Sequence, residues 1–432
     1  MCDDGAVPRL ESVFVILALL FFSQAIYSLV ANPELQEGYP SEHDSLLIAT
    51  QTIIYVLLIG FAALHWRTIM KVARREASTW LLSGLAVTSG LWSADPFLSA
   101  RRGLILVATT GFGLYVAARF SMKQQLRILS FALAIATALS VLAVLLLPYY
   151  GIMPAGASPG WRGVFPHKNP FGRIMALAAL VFLIRASGRV AQRLIFGCAV
   201  VAATILTFLS QSVSASLVAV FVLLIVSCWR VTRRSATRAF TMFAALQMVV
   251  VVASLAVVTH LDSLFRLVQR DSSLTGRTYL WSLVLLSIRS RPLLGYGING
   301  FWGVSGESAS ISRALGWVPL SADNGVLDLW LSLGAVGLAI FLVGYIVGLK
   351  RAVRLLRCGT APEVVWPLAY MLFFALCNLD ETLLLRHDSI YWVLYVAAVF
   401  SVCRTSRRRT VYVTEPHTVE ALSHADPSVA GL

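Results

Sequence analysis

Long apolar blocks alternate with short polar connections along this chain. The blocks fall near residues 13–30, 46–64, 79–92, 103–118, 128–148, 171–185, 193–209, 213–229, 240–258, 324–347, 364–379 and 389–403. Most run roughly 16 to 22 residues, close to the ~20 that a helix needs to cross the hydrocarbon core. Inside a bilayer every backbone N–H and C=O needs an internal partner, which leaves helices or a closed barrel. A barrel strand would read as an alternating segment of about ten residues, and no such alternation is present. The pattern predicts an all-α polytopic membrane protein with about twelve transmembrane helices. Blocks 79–92, 103–118 and 171–185 are short for spans, and 193–209 with 213–229 reads as two tightly joined spans or one broken element. The first block is too long for a signal-peptide core and lacks a small-residue cleavage site, so it reads as a retained span.

Charge orients the pattern. Loops expected on one side carry Arg67, Lys71, Arg74 and Arg75, then Arg119, Lys123 and Arg127, then Arg185, Arg189 and Arg193. The bias recurs at Arg230, Arg233, Arg234 and Arg238, at Lys350, Arg351, Arg354 and Arg357, and at Arg404 and 407–409. With Arg9 these make 23 of the 35 basic residues, so the formal charge of +14 is mainly a topology signal. By the positive-inside rule both termini are cytoplasmic. The domains expected are helices over 1–258, a long extracytoplasmic loop with short helices over 259–323 before the tenth span, further helices over 324–403, and a disordered cytoplasmic tail over 404–432. The basic residues are dispersed at span ends rather than gathered on one face, which argues against a nucleic-acid partner. The six cysteines form no pair in an outside loop and give no disulfide framework.

Basic residues that break the charge rule carry the candidate chemistry. They are Arg101 and Arg102, Arg162, Lys168 and Arg173, several in the long loop including Arg277, and Arg386. The run GWRGVFPHKNPFGR places Arg162, His167, Lys168, Asn169 and Arg173 between turn-forming glycines and two prolines. It reads either as an anion site in which guanidinium forks bind phosphate or as an interfacial anchor. LSQSVSAS, with Gln211, offers helix packing and capping or contacts to sugar hydroxyls. In DSSLTGRTYLW, Arg277 is expected in the first turn of a helix, where the helix N-terminus also favours anions. RPLLGYGINGFW reads as a rigid aromatic turn or a lid, since a nucleotide-binding loop would need a following Lys-Ser/Thr. In SADNGVLDLW, Asp323 and Asn324 precede a span, as caps or as functional groups, and Asp328 follows one turn later. No metal-ligand spacing stands out. Ionisable residues gather at one membrane surface while the span centres are nearly free of charge, which fits chemistry on a lipid-held substrate better than a transport path.

These segments, with LWSADP at 91–96, resemble in order and spacing the O-antigen ligase and polysaccharide polymerase superfamily, and most closely its exopolysaccharide-production polymerases of the ExoQ type. The resemblance implies a bacterial inner-membrane glycosyltransferase that moves a glycan from a polyprenyl-pyrophosphate carrier to an acceptor sugar hydroxyl, with no nucleotide sugar and no cofactor. It implies that Arg173 and Arg277 contact the pyrophosphate. Arg162, Lys168, Asn169, Gln211 and Asn324 are the further candidates for substrate binding. Ligases of this superfamily often carry a histidine in the motif ending Asn-Gly. Here that stretch is Ser321 to Gly325, and the missing histidine makes Asp323 the first candidate base and His167 the second. Membrane lipids, a flippase and chain-length or export proteins are the expected partners. A polymerase acting on another lipid-linked repeat unit is expected ahead of an O-antigen-type ligase with a lipid or protein acceptor, and ahead of a transporter of lipid-linked saccharide.

Overall fold

A computed structural model of the 432-residue chain describes residues 9–25, 45–154, 159–187, 190–232, 277–302, 307–359 and 361–413. The apolar block 240–258, the helix entry at Thr275 and Gly276, and most of the long loop expected before residue 324 lie outside the described residues. The described helices are α1 (Arg9–Phe22), α2 (Ser45–Leu64), α3 (Trp66–Ala73), α4 (Ser78–Thr88), α5 (Pro96–Arg119) and α6 (Met122–Leu146). After a two-stranded antiparallel hairpin pairing Ile152 with Trp161 come α7 (Lys168–Arg185), α8 (Val190–Leu209), α9 (Val213–Thr232) and α10 (Arg277–Ser290). The chain continues through α11 (Ala309–Leu315), α12 (Gly325–Cys358), α13 (Trp366–Cys377) and α14 (Ile390–Val413).

Local chemistry sets several boundaries. Ser121 and Gln124 form a reciprocal capping box that starts α6. Asp95 accepts from the Leu98 N–H ahead of Pro96 to start α5. Glu76 takes the N–H groups of Ser78 and Thr79 at 3.1 and 2.8 Å at the start of α4. The helix α12 breaks at Gly334, whose φ of +65° and ψ of −169° are non-helical. Backbone polar groups freed inside a membrane helix need new partners, and the glycine-rich turn after α10 supplies them. Tyr296 and Gly297 donate to the Leu331 and Ser332 carbonyls, and Ala335 and Val336 donate to those of Pro292 and Leu293. A Cβ on Gly334 would collide with Leu293, so only glycine fits there. The turn 291–302 is therefore bound into the break of α12, and Ser89, Trp92 and Ser99 hold it from the other side.

The bundle is layered around α7. From Phe171 to Phe182 every residue of this helix is buried, as expected of a helix apolar all round, and it packs on α6, α8, α9 and α13. A second buried helix, α14, packs on α5, α12 and α13. By contrast α2 presents Ile53, Val56 and Ile59 on its outer surface, the face for lipid.

The expected count of about twelve spans is corrected here: among the described residues only four helices, α2, α6, α8 and α12, are long and apolar enough to cross a membrane. A hydropathy block does not tell a helix that faces lipid from one enclosed by protein. Helix α7 has 18 residues but carries Lys168, Arg173 and Arg185. Helix α5 is long but holds Arg101, Arg102 and Arg119. Helices α1, α4 and α13 have 14, 11 and 12 residues, short of a full crossing. The ambiguous pair resolves into two helices, α8 and α9, joined at Gln211.

Candidate functional site

The central position of α7 determines the environment of its one interior cation. Arg173 lies in the second turn and is 4% exposed. A buried charge needs a partner, and Glu381, from the loop between α13 and α14, supplies it: Nη1 stands 2.5 Å from Oε1. The contact is close but not aligned as a hydrogen bond, and among the described residues neither Nε nor the neighbouring Tyr391 hydroxyl has a hydrogen-bond partner. Burial alone would raise the Glu381 carboxyl, but Arg173, then Arg277 and Arg386, outweigh it and hold the group below its ordinary value. Glu381 is thus an anion facing a guanidinium with donor capacity to spare.

Asn378 builds the loop that carries Glu381. Its Oδ1 accepts from the Leu383 and Leu384 N–H groups at 3.0 and 2.9 Å. Its own carbonyl accepts from Gly325 N, which ties the loop to the start of α12. Asn324 completes the tie. Its Oδ1 caps α12 by accepting from Val326 and Leu327, and its Nδ2 donates to the Leu379 carbonyl at 3.1 Å. The cap is therefore Asn324 and not Asp323.

Asp323 sits outside the helix with φ of +48° and is free of the capping duty. It accepts from the Ser321 hydroxyl at 2.9 Å and stands 3.4 Å from Arg277 Nε. Arg277, the first residue of α10, also faces Asp380, 3.7 Å from its Nη1. Burial pushes the Asp323 carboxyl up and Glu381 adds to the shift, against the pull of Arg277 and Ser321. Burial also raises Asp380, opposed first by a hydrogen bond from Ser214 at the start of α9. Two arginines and three carboxylates from four separate segments thus converge on one place. Asp328 has a different part: its carboxylate accepts from Trp302 Nε1 at 2.7 Å, from Ala322 N at 2.9 Å and from the Thr382 hydroxyl. It is a bracket that clamps the turn 291–302, the Asp323 stretch and the Glu381 loop together.

Sequence reasoning named Arg173, Arg277, Asp323 and Asn324, and the structure gathers them. It did not single out Asp380 or Glu381, although adjacent acids between two apolar blocks were a readable signal in a chain with only 21 acidic residues. The other candidates hold the neighbouring loop. Arg162 donates to the Tyr150 carbonyl at 2.6 Å and lies over the Tyr150 ring. Lys168 donates to the Pro159 carbonyl at 2.9 Å. His167 caps α7, its Nδ1 accepting from Asn169 N at 3.2 Å; burial and then Lys168 hold its pKa below the ordinary value. A neutral imidazole whose Nδ1 accepts carries its proton on Nε2. Gln211 lies exposed at the α8–α9 turn with φ of +53°. Ser210 packs against Gly172 of α7, where a Cβ would meet its Oγ at 2.5 Å. Among the described residues no group of three His, Cys, Asp or Glu is placed to hold a metal ion.

Charged groups on a central helix are thus gathered with the loops that precede and follow two other helices of the bundle. Residues 198–342 match the family described as O-antigen ligase, and the chain is a multi-pass inner-membrane protein. It is 26% identical over 219 residues to the exopolysaccharide production protein ExoQ of Rhizobium meliloti (strain 1021). That alignment covers 49% of each chain, so it spans about half the length of the relative.

Proposed function

We propose that the protein is a polymerase that transfers a polyprenyl-pyrophosphate-linked glycan onto a sugar hydroxyl of another lipid-linked repeat unit. The family match supports glycan transfer from a lipid carrier at the coarser level. The observation that carries the finer reading is the buried Arg173 guanidinium, ion-paired to Glu381 yet with Nε unpartnered, in one cluster with Arg277.

The chemistry follows from the geometry. As the glycosidic bond to the carrier breaks, negative charge develops on the departing pyrophosphate. Arg173 and Arg277 are fixed by carboxylates before the reaction starts, so they meet that charge without reorganising. The attacking hydroxyl loses a proton late. Asp323 is its acceptor: it has a raised pKa, is partly exposed, is not used as a cap, and sits beside Arg277. Glu381 and Asp380 orient the arginines rather than take the proton. A single displacement of this kind inverts the anomeric carbon, and the pyrophosphate is a good enough leaving group to need no paired acid of the glycosidase kind.

The site faces the outer side of the inner membrane in this reading. Ser310 on α11 is exposed. Ser310→Cys, in a background without the native cysteines, should react with a membrane-impermeant thiol reagent in intact spheroplasts; reaction only after lysis would reverse the orientation. The test of the activity is a strain lacking the chain, in which single repeat units should accumulate on the carrier lipid. Long chains retained on the carrier would point instead to a ligase.

A further inference from the structure

Two buried tyrosines meet where α13 packs on α14, and their hydroxyls are treated differently. Tyr370 of α13 donates its hydroxyl to the Tyr391 carbonyl at 2.6 Å. Tyr391, the second residue of α14, is 7% exposed, and its hydroxyl has no hydrogen-bond partner among the described residues. The rest of the residue is held. Its N–H donates to the Ser389 hydroxyl at 3.3 Å, its carbonyl takes the Tyr370 bond, and its ring lies parallel to that of Phe373 with centroids 6.4 Å apart. A buried tyrosine usually finds a partner for its O–H, and a donor left unsatisfied in the interior is costly. Phenylalanine would fill the same space without that cost, so the hydroxyl needs an explanation.

Its surroundings say what it lacks. Arg173 and Glu381 are the charged side chains that act on it. A guanidinium has donors only, so Arg173 offers nothing to which the phenolic proton can donate. Glu381 faces Arg173 in an ion pair and makes no hydrogen bond to Tyr391. Arg173 Nε is a further buried donor without a partner among the described residues. Unpartnered donors from α7 and α14 thus stand beside one another, and one acceptor with several lone pairs would satisfy both. A phosphate oxygen is such an acceptor, and a hydrogen bond to a charged oxygen is stronger than one to a neutral group. We infer that the Tyr391 hydroxyl is a ligand of the carrier pyrophosphate, donating to the phosphate that Arg173 holds. This rests on the pyrophosphate reading of Arg173 and adds to it an uncharged donor from a second helix.

The test is Tyr391→Phe, which removes one oxygen and no hydrogen bond within the protein. The purified full chain carrying it should melt in detergent, without ligand, at the wild-type temperature or above. Tyr370→Phe is the comparison: it removes a hydroxyl that has an acceptor and should melt lower. Titrated with a polyprenyl pyrophosphate that bears no glycan, Tyr391→Phe should bind at least about tenfold more weakly than wild type, as expected for loss of one hydrogen bond to a charged group. Arg173→Ala in the same titration keeps the two readings apart. If Arg173→Ala binds more weakly while Tyr391→Phe binds as wild type does, the pyrophosphate reading stands and this proposal is overturned, the hydroxyl then facing an internal water. If Arg173→Ala itself binds as wild type does, the reading beneath the proposal falls and the proposal falls with it. A melting temperature for Tyr391→Phe as low as that of Tyr370→Phe would reveal an acceptor within the protein and overturn the proposal as well.

Discussion

Two arginine–glutamate pairs in this protein, each with a buried glutamate, differ in how fully they are satisfied. At one end, Arg119 of α5 grips Glu11 of α1 with a two-pronged contact, Nε and Nη2 each 2.9 Å from a separate carboxylate oxygen. The Tyr115 hydroxyl donates to the same carboxylate at 2.8 Å, and His65 stands 3.3 Å away. Both carboxylate oxygens there are hydrogen-bonded. At the other, Arg173 touches one oxygen of Glu381, misaligned, with Nε unpartnered. A satisfied network fixes helices in place, while an unsatisfied buried donor calls for an explanation. The saturated pair is a fastener between α1 and α5. In the proposed function the other is a charge held ready for the carrier pyrophosphate.

Substitution should separate the two most sharply. Arg173→Ala or Arg277→Ala should reduce elongation of a lipid-linked repeat unit, measured per folded protein, by at least about 10²-fold, the scale for losing a fixed donor to transition-state charge. Arg119→Ala should instead cost about 3–5 kcal/mol of stability by stranding Glu11, seen as a lower detergent-melting temperature, while the folded fraction elongates normally. Matching phenotypes would erase the distinction. Arg173→Lys should keep the Glu381 ion pair yet recover little activity, because lysine lacks the planar fork.

Asp323 and its neighbour Asn324 give a second contrast. Asp323→Asn suits the left-handed backbone there and should insert normally, but lose roughly 10²–10⁴-fold in rate if the carboxylate takes the proton. Asn324→Ala removes the real cap and should cost about 0.5–2 kcal/mol of stability, with a smaller effect on rate; equal rates for wild type and Asp323→Asn would remove the base assignment.

The pH dependence is smaller and has a definite sign. Burial and Glu381 raise the Asp323 pKa, so the base is protonated, and the rate falls, at a higher pH than an ordinary aspartate would give. Glu381→Gln removes one cause of the rise and should move the acid limb of the residual activity downward; an unmoved limb would mean that Asp323 is not the group titrating. The smallest effect is expected for Gln211→Ala. Gln211 is exposed at a turn, and its loss should change stability by no more than about 0.5 kcal/mol and the rate by about twofold at most.

How much of this was readable beforehand depended on what each residue faces. Arg173 and Arg277 were legible because a cation against the positive-inside bias needs a reason to be there. Asp323 was legible from its position before an apolar block. The Glu381 loop was not, because its partner lies more than 200 residues away in sequence and pairing at that distance leaves no local period. The number of crossings was not legible either: α7 and α14 are apolar because they are enclosed by protein, and a hydropathy block looks the same whether its neighbours are lipid or side chains. The two roles left open for Asp323 separated only when the φ of +48° and the hydrogen bonds of Asn324 assigned the cap.

The central claim is that Arg173 and Arg277 hold the carrier pyrophosphate. Its most direct test is a titration of the purified protein with a polyprenyl pyrophosphate that bears no glycan, comparing wild type, Arg173→Ala, Arg277→Ala and Arg119→Ala. Loss of one charge-assisted contact, about 1.5–3 kcal/mol, corresponds to roughly 10- to 150-fold in affinity. The account predicts weakening of that size for Arg173→Ala and Arg277→Ala and unchanged affinity for folded Arg119→Ala. Wild-type affinity in Arg173→Ala would contradict it.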